Sequence, residues 1–151
     1  MNDPLVTRAF EYNKEDKQLW VKFNAKNVKE IVTNGRARVF FLNWDTDMQM
    51  FEYYSPQVPK SAFSKKEKTN SKFTQSVFIP DDRQAVTASD KGDILVWAVS
   101  LIVDGIAQPD EKRLIKVVTV NQNNIRINNL TIHNEYLVTG NADGSIRFYD
   151  F

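Results

Sequence analysis

Residues 138–150 read VTGNADGSIRFYD, and a related stretch, VTASDKGDILVWA, stands 52 positions earlier at 86–98. Without a gap, Val86 aligns with Val138, Thr87 with Thr139, Gly92 with Gly144 and Ile94 with Ile146. Apolar Val96 meets Phe148, and aromatic Trp97 meets Tyr149. Self-similarity at a fixed period marks a repeat architecture, in which each unit buries its apolar face by stacking on a neighbour. A fainter copy, KEIVTNGRARVFFLNW at 29–44, opens with Val32-Thr33 and closes with Trp44, with an extra residue between.

Each copy reads as β-structure. The runs 94–97 and 146–149 are rich in branched and aromatic side chains and are bounded by glycine turns. Asp143-Gly144 between two such runs predicts a two-residue type I′ hairpin, with positive φ at both positions. Lys91-Gly92 occupies the same place one repeat earlier, and Asn34-Gly35 is a third hairpin signal. A further strand precedes each hairpin, at 20–23, 74–79 and 125–132, and a fourth follows at 48–54 and 114–120. The last copy stops before its fourth strand. No segment sustains helical periodicity with caps, so the chain reads as all-β and antiparallel. Two connections, 55–72 with Pro56 and Pro59, and 103–113 with Gly105 and Pro109, read as solvated loops that lengthen the period.

Composition narrows the chemistry. Twenty basic residues against nineteen acidic ones give a net charge of +1, not the field of a nucleic-acid or membrane-surface module. With no cysteine, disulfides and thiolate metal sites are excluded. The first residues, MNDPLVTRAF, resemble no signal peptide, and no run suits a transmembrane helix, so a soluble intracellular protein is expected. His133 is the only histidine, which leaves a catalytic triad or a multi-histidine metal site without support. Asp81-Asp82 after Pro80 reads as turn chemistry rather than as an acid–base pair. The five glycines are scattered and form no phosphate loop. The most basic segment carries Lys60, Lys65, Lys66, Lys68 and Lys72, opposed by Glu67, and reads either as a solubilising loop or as a contact for an acidic partner.

The segment 139–150, TGNADGSIRFYD, resembles the closing part of a WD repeat. Asp143 matches the tight-turn aspartate, and Tyr149-Asp150 stands where the Trp-Asp pair stands. In the middle copy Lys91 replaces that aspartate, and Trp97 is followed by Ala98. The resemblance implies structural roles for Thr87, Gly92, Trp97, Thr139, Asp143, Gly144, Tyr149 and Asp150. Both copies lack the family's Gly-His pair, so its His–Ser/Thr–Asp–Trp network is expected to be incomplete and to add little rigidity. The succession VKFNAKNVKEIVTNG (21–35), YYSPQV (53–58), KFTQSVF (72–78), QAVTASDKGDILVW (84–97) and EYLVTGNADGSIRFYD (135–150) is similar to WD-repeat proteins of ciliary radial-spoke bases.

That resemblance implies a section of a WD-repeat β-propeller, about three blades and not closed by itself. The expected units are a lead-in at 1–17, a blade at 18–58, a basic linker at 59–72, a blade at 73–120 and a partial blade at 121–151. It further implies a non-catalytic scaffold in the axoneme of a cilium, without cofactor, nucleic acid or membrane. Its partners would be subunits of the radial spoke and of the calmodulin- and spoke-associated complex, with calmodulin and tubulin as candidates. The remaining blades would come from flanking sequence or from another chain. A WD-repeat adaptor in trafficking or ubiquitin ligation is the alternative, and a propeller hydrolase is disfavoured by the lone histidine.

Overall fold

Alternation along one central strand organises the molecule. In the computed structural model, which describes residues 16–80, 83–100, 102–107 and 109–151, the segment Asp93–Val99 (DILVWAV) sends alternate side chains to two different interfaces. Leu95 and Trp97 pack toward the preceding sheet, with Val32, Phe41, Phe73 and Phe78. Ile94 and Val96 pack toward the following one, with Val77, Val86, Ile127 and Leu130. Burial on both faces is why this strand reads as an apolar run rather than an alternating one. The lead-in at 1–17, apart from Asp16 and Lys17, lies outside the described residues, as do Asp81 and Asp82.

Three antiparallel meanders stack in chain order. The first joins β1 (Trp20–Phe23), β2 (Glu30–Asn34), β3 (Val39–Asp45) and β4 (Met50–Tyr54). The second joins β5 (Phe73–Phe78), β6 (Gln84–Ser89) and β7 (Asp93–Val99). Between β7 and its outer strand lies a small hairpin of β8 (Ile102–Val103) and β9 (Ile106–Ala107), and β10 (Lys112–Thr119) then completes that sheet. The third holds β11 (Ile127–His133), β12 (Tyr136–Asn141) and β13 (Ile146–Asp150), with no fourth strand among the described residues. This is a partial β-propeller, and the ring is not closed.

Two hairpin expectations need correction. Of the pair Asp143-Gly144, only Gly144 has positive φ (83°), so the turn is not type I′. Asn141 N–H reaches Ser145 O at 2.9 Å and Gly144 N–H reaches Asn141 O at 3.0 Å, which describes a three-residue loop ending in a left-handed glycine. The extra residue lets Asp143 stay in ordinary backbone space. Nor does Gly35 serve a left-handed turn. A Cβ there would stand 2.2 Å from Asp16 Oδ1, because the Asp16 carboxylate accepts the N–H groups of Arg36, Ala37 and Arg38 at 2.7–3.0 Å.

The two connections are more ordered than solvated loops. The segment 55–72 contains short 3-10 turns at Lys60–Ala62 and Lys66–Asn70. Within 103–113, Asp104 (φ 51°) and Gly105 (φ 76°) form the two-residue turn of the β8–β9 hairpin. The positive-φ pair sought at Asp143-Gly144 is therefore found here.

The third sheet ends on an open apolar face. Ile146 and Phe148 are 68% and 60% exposed, and Tyr136 makes an edge contact with Phe148 at 6.2 Å. By the repeat, these positions correspond to Ile94 and Val96, which are buried between the second and third sheets.

Candidate interaction surface

The strands first position a buried polar chain. Trp97 donates its indole N–H to Thr87 Oγ1 at 2.8 Å, and Thr87 and Ser76 hydroxyls lie 2.7 Å apart. Ser76 donates to Asn34 Oδ1 at 2.8 Å, so the proton between Thr87 and Ser76 belongs to Thr87. Asn34 in turn donates to the carbonyls of Gly35 (2.8 Å) and Thr74 (3.3 Å), which fixes its amide orientation. Trp97, Thr87, Ser76 and Asn34 are all fully buried. The chain therefore crosses from β7 through β6 and β5 into β2 of the neighbouring sheet. Trp20 adds a second crossing, donating its indole N–H to Ser76 O at 2.8 Å.

The family's tetrad is incomplete, as expected, but a serine and an asparagine replace its absent members and bind two sheets together. A fully satisfied buried network of this kind favours one arrangement of the two sheets it joins. Sequence reasoning missed Ser76 and Asn34. Ser76 stands inside the strand expected at 74–79, while Asn34 reads as a hairpin-turn residue; the structure places it in β2 instead.

The third sheet does not repeat this arrangement. Thr139 accepts from Asn141 Nδ2 at 3.1 Å, and the buried Tyr149 hydroxyl has no hydrogen-bond partner among the described residues. Asp143 holds its own loop, accepting from Ser145 N–H at 3.0 Å and Ser145 Oγ at 2.6 Å, while Arg147 donates to its other oxygen at 3.1 Å. The Ser145 hydrogen bonds, with Arg147 as a lesser contributor, hold the Asp143 carboxyl below its ordinary value. Gly92 keeps its positive φ of 79° and lies so close to Asn121 that a Cβ would stand 2.6 Å from the Asn121 carbonyl oxygen. Asp150 is exposed at the end of β13, opposite Tyr136.

The basic segment divides in two. Lys60, Lys65, Lys66 and Lys72 are exposed. Lys68 is not, and grouping it with a partner-contact loop is corrected by its burial. Its Nζ lies 2.6 Å from Asp93 Oδ1 and 3.1 Å from Thr119 Oγ1. Lys91 Nζ also donates to the Glu67 carbonyl, and Lys72 N–H donates to Asp90 Oδ1 at 2.8 Å, so the segment is clamped to the second sheet at three points. A second buried pair, Lys112 with Glu30, joins the first two sheets, and the Lys112 ammonium stands 5.4 Å from the ring centres of both Phe41 and Phe78. His133, exposed at the end of β11, contacts Asn134 at 3.3 Å. Among the described residues no cluster of His, Cys, Asp and Glu is arranged to hold a metal. What the fold offers is a stack of sheets tied together by buried polar contacts, with strand edges and loops along its rim.

Known proteins resemble this chain in sequence and in fold. The family model described as CFAP251 N-terminal domain matches residues 1–151. Cilia- and flagella-associated protein 251 of Tetrahymena thermophila is 37% identical over 97% of this chain. The protein of that name from Chlamydomonas reinhardtii is 33% identical, also over 97%. The chain spans only 15% and 17% of the lengths of these two relatives. Neither the family description nor these names carry an enzyme activity. In solved structures, a chain of the mitotic checkpoint complex aligns with TM-score 0.63 and 11% identity, over 92% of this chain and 37% of that one, which is a likeness of fold.

Proposed function

We propose a structural role in the ciliary axoneme for this chain, which belongs to the CFAP251 N-terminal domain family. In this reading the parent protein is a non-catalytic scaffold at the base of a radial spoke, joining spoke to doublet microtubule within the calmodulin- and spoke-associated complex. The observation that carries it is the extent of the likeness to cilia- and flagella-associated relatives, which runs through all three sheets rather than through one repeat. The physical features are compatible. Buried interfaces and an inter-sheet polar chain hold a stiff platform, and its rim is left for neighbours. The exposed Lys60, Lys65, Lys66 and Lys72 give an acidic surface such as tubulin a place to bind, each contact worth about 0–1 kcal/mol by itself. The open face of the third sheet receives further blades, from flanking sequence or from another chain.

Tagging the endogenous full-length protein in a motile-ciliated cell tests the reading. The tag is expected to stay with salt-washed axonemes. A tag found in cytosol or on vesicles would replace the ciliary scaffold with a WD-repeat adaptor of trafficking or ubiquitin ligation.

A further inference from the structure

The outer margin of the first sheet and the segment leading into β10 enclose a cleft of about 540 Å³. Alternation along β4 turns Met50, Glu52 and Tyr54 to one side, opposite Asp45, Asn43 and Phe41 of β3. Asp110 and Glu111 form the facing wall. The Tyr54 hydroxyl accepts the Lys112 backbone N–H at 2.8 Å and so ties the two walls together. Met50 is 50% exposed, a large apolar side chain at the cleft mouth. The order of the sheet makes β4 an edge strand, with one row of backbone groups unpaired to any strand among the described residues.

The charged side chains lining this cleft are all acidic, and the Arg113 guanidinium braces the wall by donating to the carbonyls of Pro109 (3.1 Å) and Glu111 (3.0 Å). Glu52, Asp110 and Glu111 form no ion pair among the described residues, and no lysine or arginine lines the cavity. Burial above all, with Glu30, Glu111 and Asp110 adding to it, keeps the Tyr54 phenol protonated far above its ordinary range. An acidic or phosphate-bearing partner is repelled here. A cation is attracted, and methionine accommodates varied apolar side chains.

We infer that this cleft docks an extended basic segment of a protein partner, its apolar side chain seated on Met50 and its lysine or arginine set among Glu52, Asp110 and Glu111. Strand addition along β4 supplies backbone hydrogen bonds, and the carboxylates supply selection and faster association. Because its sign is opposite to that of the exposed lysines, the cleft takes a different partner from the lysine-rich segment. The inference does not depend on the ciliary assignment.

The full-length protein is titrated with a short fluorescent peptide of alternating lysine and leucine, and with its glutamate–leucine counterpart. The lysine peptide binds, more weakly as salt rises, and E52Q/D110N/E111Q lowers its affinity about tenfold. E135Q/D150N, which neutralises two exposed carboxylates elsewhere, leaves the affinity unchanged. Equal binding of both peptides, an unaffected cleft variant, or an equal loss in the control variant overturns the inference. A photo-crosslinking lysine peptide provides a readout on the unaltered protein. Attachment within 50–54 or 109–111 supports the cleft, and attachment confined to other segments overturns it.

Discussion

Replacing Ser76 by alanine removes one hydroxyl and disturbs two sheets at once. That hydroxyl receives the Thr87 proton at 2.7 Å and donates to Asn34 Oδ1 at 2.8 Å. All three residues are fully buried, so water does not replace the lost bonds. Each orphaned buried group costs about 1–3 kcal/mol, so Ser76→Ala, which orphans two, is expected to destabilise the stack by roughly 2–6 kcal/mol. Thr87→Val keeps the shape but orphans the Trp97 indole N–H and leaves Ser76 with only its bond to Asn34. The double variant breaks the shared Thr87–Ser76 bond only once. Its loss is therefore expected to fall short of the sum of the single losses by about 1 kcal/mol. Pulse proteolysis of the full-length protein across a urea series, following the amino-terminal propeller fragment, measures all three. Single losses below about 0.5 kcal/mol, or strict additivity, would refute a satisfied inter-sheet relay.

Gly144→Val is expected to cost roughly 1–2 kcal/mol from backbone strain, since nothing lies within 4 Å of its Cβ position. Gly92→Ala should cost more than Gly144→Ala, because strain there is joined by collision with Asn121; the reverse order in urea midpoints would contradict the geometry. The depressed Asp143 pKa adds stability that is present above the ordinary value of 3.8 and lost as pH falls through the lower folded value. Carboxyl NMR titration should therefore find its midpoint raised in Ser145→Ala, and an unmoved midpoint would remove Ser145 as the cause. Expressed alone, residues 1–151 should aggregate, stay molten or oligomerise through the β13 edge, which no strand among the described residues covers, and the Ile146–Phe148 face. A sharp monomeric peak with cooperative unfolding would show that three sheets suffice.

Periodicity made much of this fold legible. The 52-residue offset located the hairpins, and runs of branched and aromatic residues located the long strands. Turn geometry was less accessible, since Asp-Gly serves a two-residue turn at Asp104-Gly105 and the end of a three-residue loop at Asp143-Gly144. Register decides between these, and local composition does not encode register. Lys68 illustrates a second limit. Five lysines in one segment look alike until the chain folds, and only Lys68 then meets a fully buried aspartate. The Trp97–Thr87 pair was visible as a repeat position, whereas Ser76 and Asn34 became partners only through packing between sheets. The acidic cleft was hidden for the same reason: Glu52 and Asp110 are far apart in sequence, and the stacking of two sheets brings them together.

Cryo-electron tomography of axonemes from cells with and without the full-length protein tests the proposed scaffold role most directly. The account predicts that removal deletes density at the base of a radial spoke and weakens ciliary beating, and that the restored gene recovers both. Spoke bases of unchanged density in beating cilia that lack the protein would contradict it.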